Sequence, residues 1–192
     1  MDLYREIELA LHARGRAVVA IDGESGAGKT TLAEALARRY DARVFHADDY
    51  FLQPRQRTPE RLAEIGGNLD RERMLAEVIL PVREGADAYV RAFDCAHETL
   101  SEARRVPPKP LTIVEGSYCL HPAFGAYYDI AVCIRCSAPL QRARLKARYD
   151  AARFARALAE WIPMENQYLS GFNIPQRCDV LLDANDIHKH GL

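Results

Sequence analysis

The stretch VVAIDGESGAGKTTLAEALA, from Val18 to Ala37, changes character twice along its length. It begins with apolar, β-branched residues typical of a buried strand, passes through a run of small residues, and continues with the spacing of an amphipathic helix. Its middle part, G-E-S-G-A-G-K-T from Gly23 to Thr30, fits the pattern of a phosphate-binding loop between a strand and a helix. The stretch therefore predicts an α/β fold in which the first strand leads into a phosphate site.

The residue types of this loop explain how it would hold a phosphate. Glycines let the backbone turn tightly, so that successive N–H groups and the positive end of the next helix point at one anion. We expect Lys29 to reach the β and γ phosphates and the Thr30 hydroxyl to bind Mg²⁺. A flexible glycine turn is the alternative interpretation, but it leaves the flanking strand and helix unexplained. The predicted nucleotide-binding residues are Gly23, Glu24, Ser25, Gly26, Ala27, Gly28, Lys29, Thr30 and Thr31.

The length and composition narrow the class of protein. The chain has 192 residues, which suits one domain (1–192), and its 26 basic and 27 acidic side chains give a net charge of −1. This balance gives no reason to expect nucleic acid as a partner, and no apolar run approaches the roughly 20 residues of a membrane span. The five cysteines are odd in number and scattered. We expect a cytoplasmic protein with reduced thiols and a small-molecule substrate, and a homo-oligomer is compatible with the sequence.

Strands and helices alternate along the rest of the chain. We expect helices over residues 3–13, over 70–84 with Gly85 close behind its end, and over most of 139–169, which is rich in arginine. This alternation predicts a doubly wound parallel sheet with ligands at the carboxyl ends of its strands. Further strands are predicted in ARVFHA (42–47), LTIVEG (111–116), DIAVCIRC (129–136) and CDVLLDA (178–184).

Carboxylates stand at two of the predicted strand ends. Glu115 ends LTIVEG, where its side chain could hold Mg²⁺ directly or through water; the alternative is an acid that merely ends a strand. Asp48 and Asp49 follow the second strand, where one carboxylate can orient a substrate hydroxyl and accept its proton. We favour Asp48 as this base and Asp49 as its neighbour, although the sequence leaves the reverse order open.

Five segments together resemble the uridine kinase group of small P-loop kinases, which includes the nicotinamide riboside kinases. They are GESGAGKTT, HADDYF, GGNLDRERM, AFDC and IVEG, and the resemblance extends from about Val18 to Asp183. It implies a P-loop nucleoside triphosphate hydrolase fold, ATP and Mg²⁺ as cofactors, and transfer of the γ-phosphoryl group to the 5′-hydroxyl of a nucleoside such as uridine or cytidine. In this group the acid that corresponds to Asp48 is the base.

The resemblance also implies the residues that would bind the acceptor and close the site. Asp70 corresponds to the acid that holds the ribose diol, although Asp is also a good helix N-cap. Phe93 corresponds to the aromatic residue that lines the nucleoside pocket, with Asp94 beside it. A small helical lid, roughly residues 148–162, would clamp phosphates through Arg144 and Arg148, whereas a solvated helix face is the ordinary role of such arginines.

Departures from the family pattern leave the acceptor open. The R-G-R type lid sequence is absent, and His97 is one position away from the histidine that follows the aromatic-Asp segment in uridine kinases. Nicotinamide riboside, pantothenate or another small alcohol is therefore the alternative acceptor. A nucleotide-dependent switch or transport ATPase is a more distant alternative, since YLSGFN contains L-S-G but lacks the following Gly-Gln, and no N-K-x-D segment occurs.

Overall fold

Nine strands build the sheets of this protein, and the computed structural model describes residues 2–125 and 127–187. Five of the strands form a parallel sheet and the other four form two short antiparallel pairs. The strands are β1 (Ala17–Gly23), β2 (Arg43–His46), β3 (Ala88–Val90), β4 (Phe93–Asp94), β5 (Thr99–Leu100), β6 (Arg104–Val106), β7 (Leu111–Glu115), β8 (Ile130–Arg135) and β9 (Val180–Asp183).

The parallel sheet has the order β2-β7-β1-β8-β9, with the loop-bearing strand β1 in its centre. Every residue of β1 and of β7 is buried, as the apolar runs of their sequences predict. Ile21 lies opposite Glu115 on one side and Val132 on the other, and His46 also pairs with Glu115. The parallel register therefore brings the carboxyl ends of these strands to one edge of the sheet.

Helices cover both faces of the sheet. They are α1 (Leu3–Arg14), α2 (Lys29–Tyr40), α3 (Pro59–Ala63), α4 (Arg71–Met74), α5 (Leu80–Glu84), α6 (Ala138–Arg148), α7 (Ala151–Arg156), α8 (Ile162–Gly171) and α9 (Ile174–Arg177).

The side chains of β1 alternate between two apolar cores. Val19 and Ile21 face a core that includes residues of α1 and α2, whereas Val18 and Ala20 face a core that includes Met74 of α4 and residues of α8. A sheet with a core on each face needs helices on both sides, which is the doubly wound arrangement. The structure thus confirms the predicted fold class, and α1 ends one residue beyond the predicted 3–13.

Two helices contain a π-helical turn shortly before a proline. Leu75–Ile79 joins α4 to α5 and precedes Pro81, and Ala157–Trp161 joins α7 to α8 and precedes Pro163. Proline lacks an N–H and its ring would clash with the carbonyl four residues earlier, so the wider turn accommodates it without ending the helix. Residues 71–84 and 151–171 therefore each continue as one helix.

The short antiparallel pairs were not predicted as strands. Ala88 pairs with Val106 in β3 and β6, and Phe93 pairs with Leu100 in β4 and β5. Strands of two or three residues are too short to show an alternating pattern in a sequence.

Within the described parts of the chain, no helix combines the length and the apolar composition needed to cross a membrane.

Candidate active site

The phosphate-binding loop connects β1 to α2 at the carboxyl edge of the sheet. Gly23 has φ 136°, and a Cβ at this position would lie 2.1 Å from the carbonyl oxygen of Ile134 on the neighbouring strand. Gly28 has φ 101° and caps α2 without a side-chain hydrogen bond. The loop therefore needs glycine for close backbone approach, and its first helical N–H groups are left for an anion.

Lys29 lies folded over the loop that precedes it. Its Nζ donates to the carbonyl oxygens of Gly23 (2.8 Å) and Glu24 (3.2 Å) and to the Ser117 hydroxyl (3.3 Å). Burial lowers the pKa of this ammonium group, but the combined attraction of four carboxylates outweighs burial and raises the pKa above its ordinary value. Lys29 is therefore a fixed positive charge at the loop. The four carboxylates belong to Glu165, Asp22, Asp48 and Glu115.

Thr30 and Glu115 bring a hydroxyl and a carboxylate together close to Lys29. The Thr30 hydroxyl donates to Glu115 Oε1 over 3.2 Å, and His46 Nδ1 lies 2.5 Å from the same oxygen. The hydrogen bond to Glu115 raises the pKa of His46, although burial opposes this. A hydroxyl and a carboxylate suit Mg²⁺, a hard cation that takes most of its remaining ligands from water and phosphate. In the described residues, no three His, Cys, Asp or Glu side chains group as a metal site by themselves.

Asp48 and Asp49 lie on a 3-10 turn, Ala47–Tyr50, directly after β2. The pKa of the Asp48 carboxyl is raised, mainly by desolvation and further by Glu115 and Glu165, and the charges of Lys29 and Arg148 oppose this rise only in part. Burial also raises the pKa of Asp49, but the cations that oppose it are His46, Arg73 and Arg104. The two carboxylates therefore have different charged neighbours. Asp48 interacts with Lys29 of the phosphate loop and with Arg148, whereas Asp49 interacts with His46, Arg73 and Arg104.

Asp70 is buried and combines a structural role with a place in a cavity. Its Oδ1 accepts the backbone N–H of Arg73 (3.1 Å) as N-cap of α4, and its Oδ2 accepts from Gln56 Nε2 (3.0 Å) and Arg73 Nε (3.3 Å). The carboxylate also lines a cavity of about 350 Å³ together with Gln53, Arg91 and others. Helix capping and substrate binding are both compatible with these contacts, so its role in binding a diol stays a prediction.

Phe93 and Asp94 lie on β4, next to the turn into β5. Phe93 is buried, and the guanidinium of Arg57 lies 5.9 Å from the centre of its ring. Asp94 is exposed and accepts from the backbone N–H of Ala96 (2.8 Å) and from His97 Nδ1 (2.7 Å). These hydrogen bonds stabilise the turn between β4 and β5, so Asp94 has a structural role. Its contact with a substrate stays a prediction.

The two predicted lid arginines lie at different places on α6. Arg144 Nη1 donates to the carbonyl oxygen of Gly26 (2.8 Å), and its Nη2 donates to that of Ala184 (3.3 Å), so it ties the phosphate loop to the segment after β9. Arg148 ends α6, is exposed, and acts on the charge of Asp48. Arg148 is thus the one of the two that interacts with Asp48, and the phosphate clamp stays a prediction for both.

The comparisons with known proteins identify the fold. No family model matches the chain, and no curated protein matches its sequence. A possible uridine kinase from Bacillus stearothermophilus matches with a TM-score of 0.68 and 22% identity, over 95% of this chain and 100% of that chain. The protein has the fold of the P-loop kinases.

Two further solved structures have a similar fold. A candidate fructose transport system kinase from Silicibacter sp. TM1040 has a TM-score of 0.71 and 22% identity, over 93% of this chain and 96% of the other. A shikimate kinase from Bacteroides thetaiotaomicron has a TM-score of 0.51 and 18% identity, over 88% and 87%. A possible uridine kinase among the matches agrees with the resemblance seen in the sequence, while the identities are too low to carry an acceptor over to this P-loop kinase fold.

Three side chains of the site were not predicted from the sequence. His46 is the partner of Glu115, Ser117 is the partner of Lys29, and Glu165 bonds to the phosphate loop from α8. Ser117 follows the strand end that supplies Glu115, so its position was a usable signal. Glu165 lies 140 residues along the chain from its partner Ser25, and nothing in a helical sequence marks such a contact.

Proposed function

We propose that this protein is a kinase that transfers the γ-phosphoryl group of ATP to a primary hydroxyl of a small molecule. The observation that supports this most is the grouping of Lys29, the Thr30–Glu115 pair and Asp48 at one edge of the sheet. A phosphate loop alone suits a switch or a mechanical ATPase equally well. A carboxylate beside the loop lysine adds what a kinase needs, which is a proton acceptor next to the transferring group.

In the proposed step, the acceptor hydroxyl oxygen bonds to the γ phosphorus while the bond from that phosphorus to the oxygen of ADP breaks. Asp48 accepts the hydroxyl proton, and its raised pKa makes it a better proton acceptor than an ordinary aspartate. Lys29 keeps its positive charge beside the phosphates. Thr30 and Glu115 would hold Mg²⁺, which when bound neutralises charge on the phosphates.

For the acceptor we propose the 5′-hydroxyl of uridine or cytidine. The family resemblance of HADDYF, GGNLDRERM and AFDC supports this, and so does a buried carboxylate, Asp70, in the wall of a cavity of about 350 Å³. A diol hydroxyl could donate to Asp70 Oδ1, which has a second lone pair beside the one that accepts the Arg73 N–H. Phe93 would supply an apolar surface toward a base or sugar.

Nicotinamide riboside, pantothenate or another small alcohol is the alternative acceptor. The cavity that Asp70 lines also includes Arg55, Arg73 and Arg91. Arg73 and Arg91 are paired with Glu77, at 3.6 Å and 2.6 Å. The same wall carries the carboxylates of Asp70, Glu72 and Glu77, so its overall charge does not select the acceptor. Pantothenate belongs among the compounds to test because Arg55 could bind its carboxylate.

The test is to incubate the purified protein with Mg-ATP and a set of hydroxyl acceptors and to identify phosphorylated products by mass. The set comprises uridine, cytidine, deoxyuridine, nicotinamide riboside and pantothenate. We expect uridine or cytidine 5′-monophosphate and little product from deoxyuridine, because the missing hydroxyl removes a hydrogen bond that a ribose diol would donate to the buried Asp70 carboxylate. Slow ATP hydrolysis that no acceptor changes would contradict the kinase proposal and favour a switch or ATPase.

A further inference from the structure

A carboxylate from the far end of the chain occupies hydrogen-bond donors of the phosphate loop. Glu165 Oε2 accepts the backbone N–H of Ser25 (2.9 Å), and its Oε1 accepts the Ser25 hydroxyl (2.5 Å). The Ser117 hydroxyl donates to the same Oε1 over 2.8 Å. Glu165 is almost fully buried, with 5% of its surface exposed. These contacts place a negative charge against the loop itself.

The charge of Glu165 also acts on the loop lysine. Among the carboxylates around Lys29, Glu165 has the largest attraction for its ammonium group. Ser117 connects the two side chains, since it accepts from Lys29 (3.3 Å) and donates to Glu165. Glu165 therefore uses the same kinds of partners, backbone N–H and lysine, that a phosphate loop offers to an anion.

Two anions cannot use one N–H group, and at close distance inside a protein they repel each other strongly. A nucleoside triphosphate whose phosphates enter this loop must displace the Glu165 carboxylate or bind beside it at an electrostatic cost. In either arrangement the negative charge of Glu165 weakens phosphate binding at the loop. Its effect is thus opposite to that of Lys29.

The position of Glu165 connects this competition to the predicted lid. Glu165 lies in the first turn of α8, which continues from α7 through the π turn as one helix over residues 151–171. The lid predicted at roughly 148–162 includes the first part of this helix. A displacement of Glu165 would therefore move the helix whose first part belongs to the predicted lid.

We propose that Glu165 is a positioning residue that competes with the donor phosphates for the phosphate loop and so links donor binding to the helix that forms the lid. This inference rests on the proposed function, since it assumes a nucleoside triphosphate as donor. The competition predicts that removal of the charge strengthens nucleotide binding. By reciprocity, nucleotide should also loosen the hold of the loop on this helix.

The experiment measures ADP and pyrophosphate affinity by isothermal titration calorimetry for the wild type, Glu165→Gln and Glu160→Gln. The Glu165→Gln variant keeps the shape of the side chain without its charge, and we expect it to bind ADP on the order of tenfold more tightly than the wild type. Glu160 is the matched control, because it lies in the same helix, pairs with Arg156 at 2.8 Å and is exposed. The control should bind ADP within about twofold of the wild type.

A second readout separates competition from a merely structural role. Hydrogen exchange of residues 151–161 should increase in the wild type when ADP is added, and should already be increased in Glu165→Gln without ADP. If Glu165→Gln does not fold, Ser117→Ala removes one donor to the carboxylate and should shift ADP affinity in the same direction by roughly twofold to threefold.

The outcomes distinguish the two proposals. Equal or weaker ADP binding by Glu165→Gln, with normal binding by the wild type, would overturn the competition and leave the kinase proposal standing. A wild type that binds neither ADP nor pyrophosphate would overturn both. Tighter binding by Glu165→Gln and Glu160→Gln alike would show a general charge effect and would also overturn the role of Glu165.

Discussion

The two sides of the candidate site are built in different ways. The donor side, residues 23–31, is one continuous stretch that offers mainly backbone N–H groups and a single lysine. The proposed acceptor side is the wall around Asp70, which combines residues from Gln53 to Leu100 and offers mainly side chains. The donor side therefore follows from a short motif, whereas the acceptor side depends on how separate segments pack.

This difference explains why the donor class is easier to infer than the acceptor. A phosphate is the same in every nucleotide, so the backbone of one loop suffices to recognise it. An acceptor is recognised by the particular hydrogen bonds of a few side chains. In this protein the predicted side chains also stabilise the local structure. Asp70 caps a helix and Asp94 holds a turn. The predictions below test whether this division is real.

The largest effect is expected at the junction of the two sides. Asp48→Asn should lower kcat by on the order of 10³-fold while ADP affinity changes little, because the variant loses its proton acceptor and keeps its volume. Asp49→Asn is the matched control and should lower kcat by less than about tenfold. Steady-state kinetics together with calorimetry measures both effects. Near-normal turnover of Asp48→Asn would remove Asp48 from this role and would make Asp49 the candidate.

On the donor side, position 23 requires glycine because an added Cβ would clash with the neighbouring strand, and not only because its φ is positive. Gly23→Ala should lower the free energy of unfolding by on the order of 3 kcal/mol, since its Cβ would meet the Ile134 carbonyl oxygen at 2.1 Å. Gly15→Ala is the control, with φ 68° and nothing within 4 Å of an added Cβ. It should cost only about 1 kcal/mol, the backbone cost of a left-handed residue. Urea unfolding compares the two, and equal losses would contradict the contact.

A buried histidine beside Arg71 of α4 predicts that stability depends on pH. Burial, with help from Arg71 and Arg61, lowers the pKa of His121 to about 4, although Glu64 opposes this. Above pH 6.5 the His121 ring is neutral in both the folded and the unfolded state. As the pH falls from 6.5 toward 4, the unfolded ring takes up a proton that the folded ring does not, so the free energy of unfolding falls. The loss amounts to at most about 3 kcal/mol.

The measurement is urea unfolding at pH 7 and at pH 4 for the wild type and His121→Phe. The aromatic replacement suits the neighbourhood, where the ring lies 5.0 Å from Phe172 and 6.3 Å from Tyr168. We expect the difference between the two pH values to be smaller in His121→Phe than in the wild type. An unchanged difference would assign the acid sensitivity to other groups.

The smallest effect concerns the choice between acceptors. Asp70→Asn should raise KM for uridine about tenfold and reduce the preference for uridine over deoxyuridine, with ADP affinity unchanged. Asn is also a good N-cap, so α4 should keep its stability. Kinetics with both nucleosides measures the effect. An unaltered preference would mean that Asp70 acts as a helix cap alone.

The fold was predictable because its signals are local. The apolar runs of β1, β7 and β8 and the spacing of α1 and α2 each lie within one segment, and the structure confirms them. The two antiparallel pairs and the order of strands in the sheet were not predicted. Pairing depends on contacts between distant segments, and strands of two residues leave no periodic pattern.

The site divides in the same way. The grouping of Lys29, Thr30, Glu115 and Asp48 follows from one rule, that the ends of parallel strands meet at one edge. The contact of Arg144 with Gly26 and the bond of Glu165 to Ser25 follow from no such rule. An arginine or a glutamate on a helix has the same sequence pattern whether it faces solvent or a loop.

The sequence by itself determined the strands of the parallel sheet, the phosphate loop and the carboxylates at the strand ends, because adjacent residues fix these through backbone geometry and burial. Only the tertiary structure decided which carboxylate faces Lys29, what Asp70 and Asp94 already bind, and that Glu165 reaches the phosphate loop from α8. Contacts such as the bond of Glu165 to Ser25 join segments far apart in the chain. Their formation depends on how the helices pack over the sheet, which local sequence does not encode.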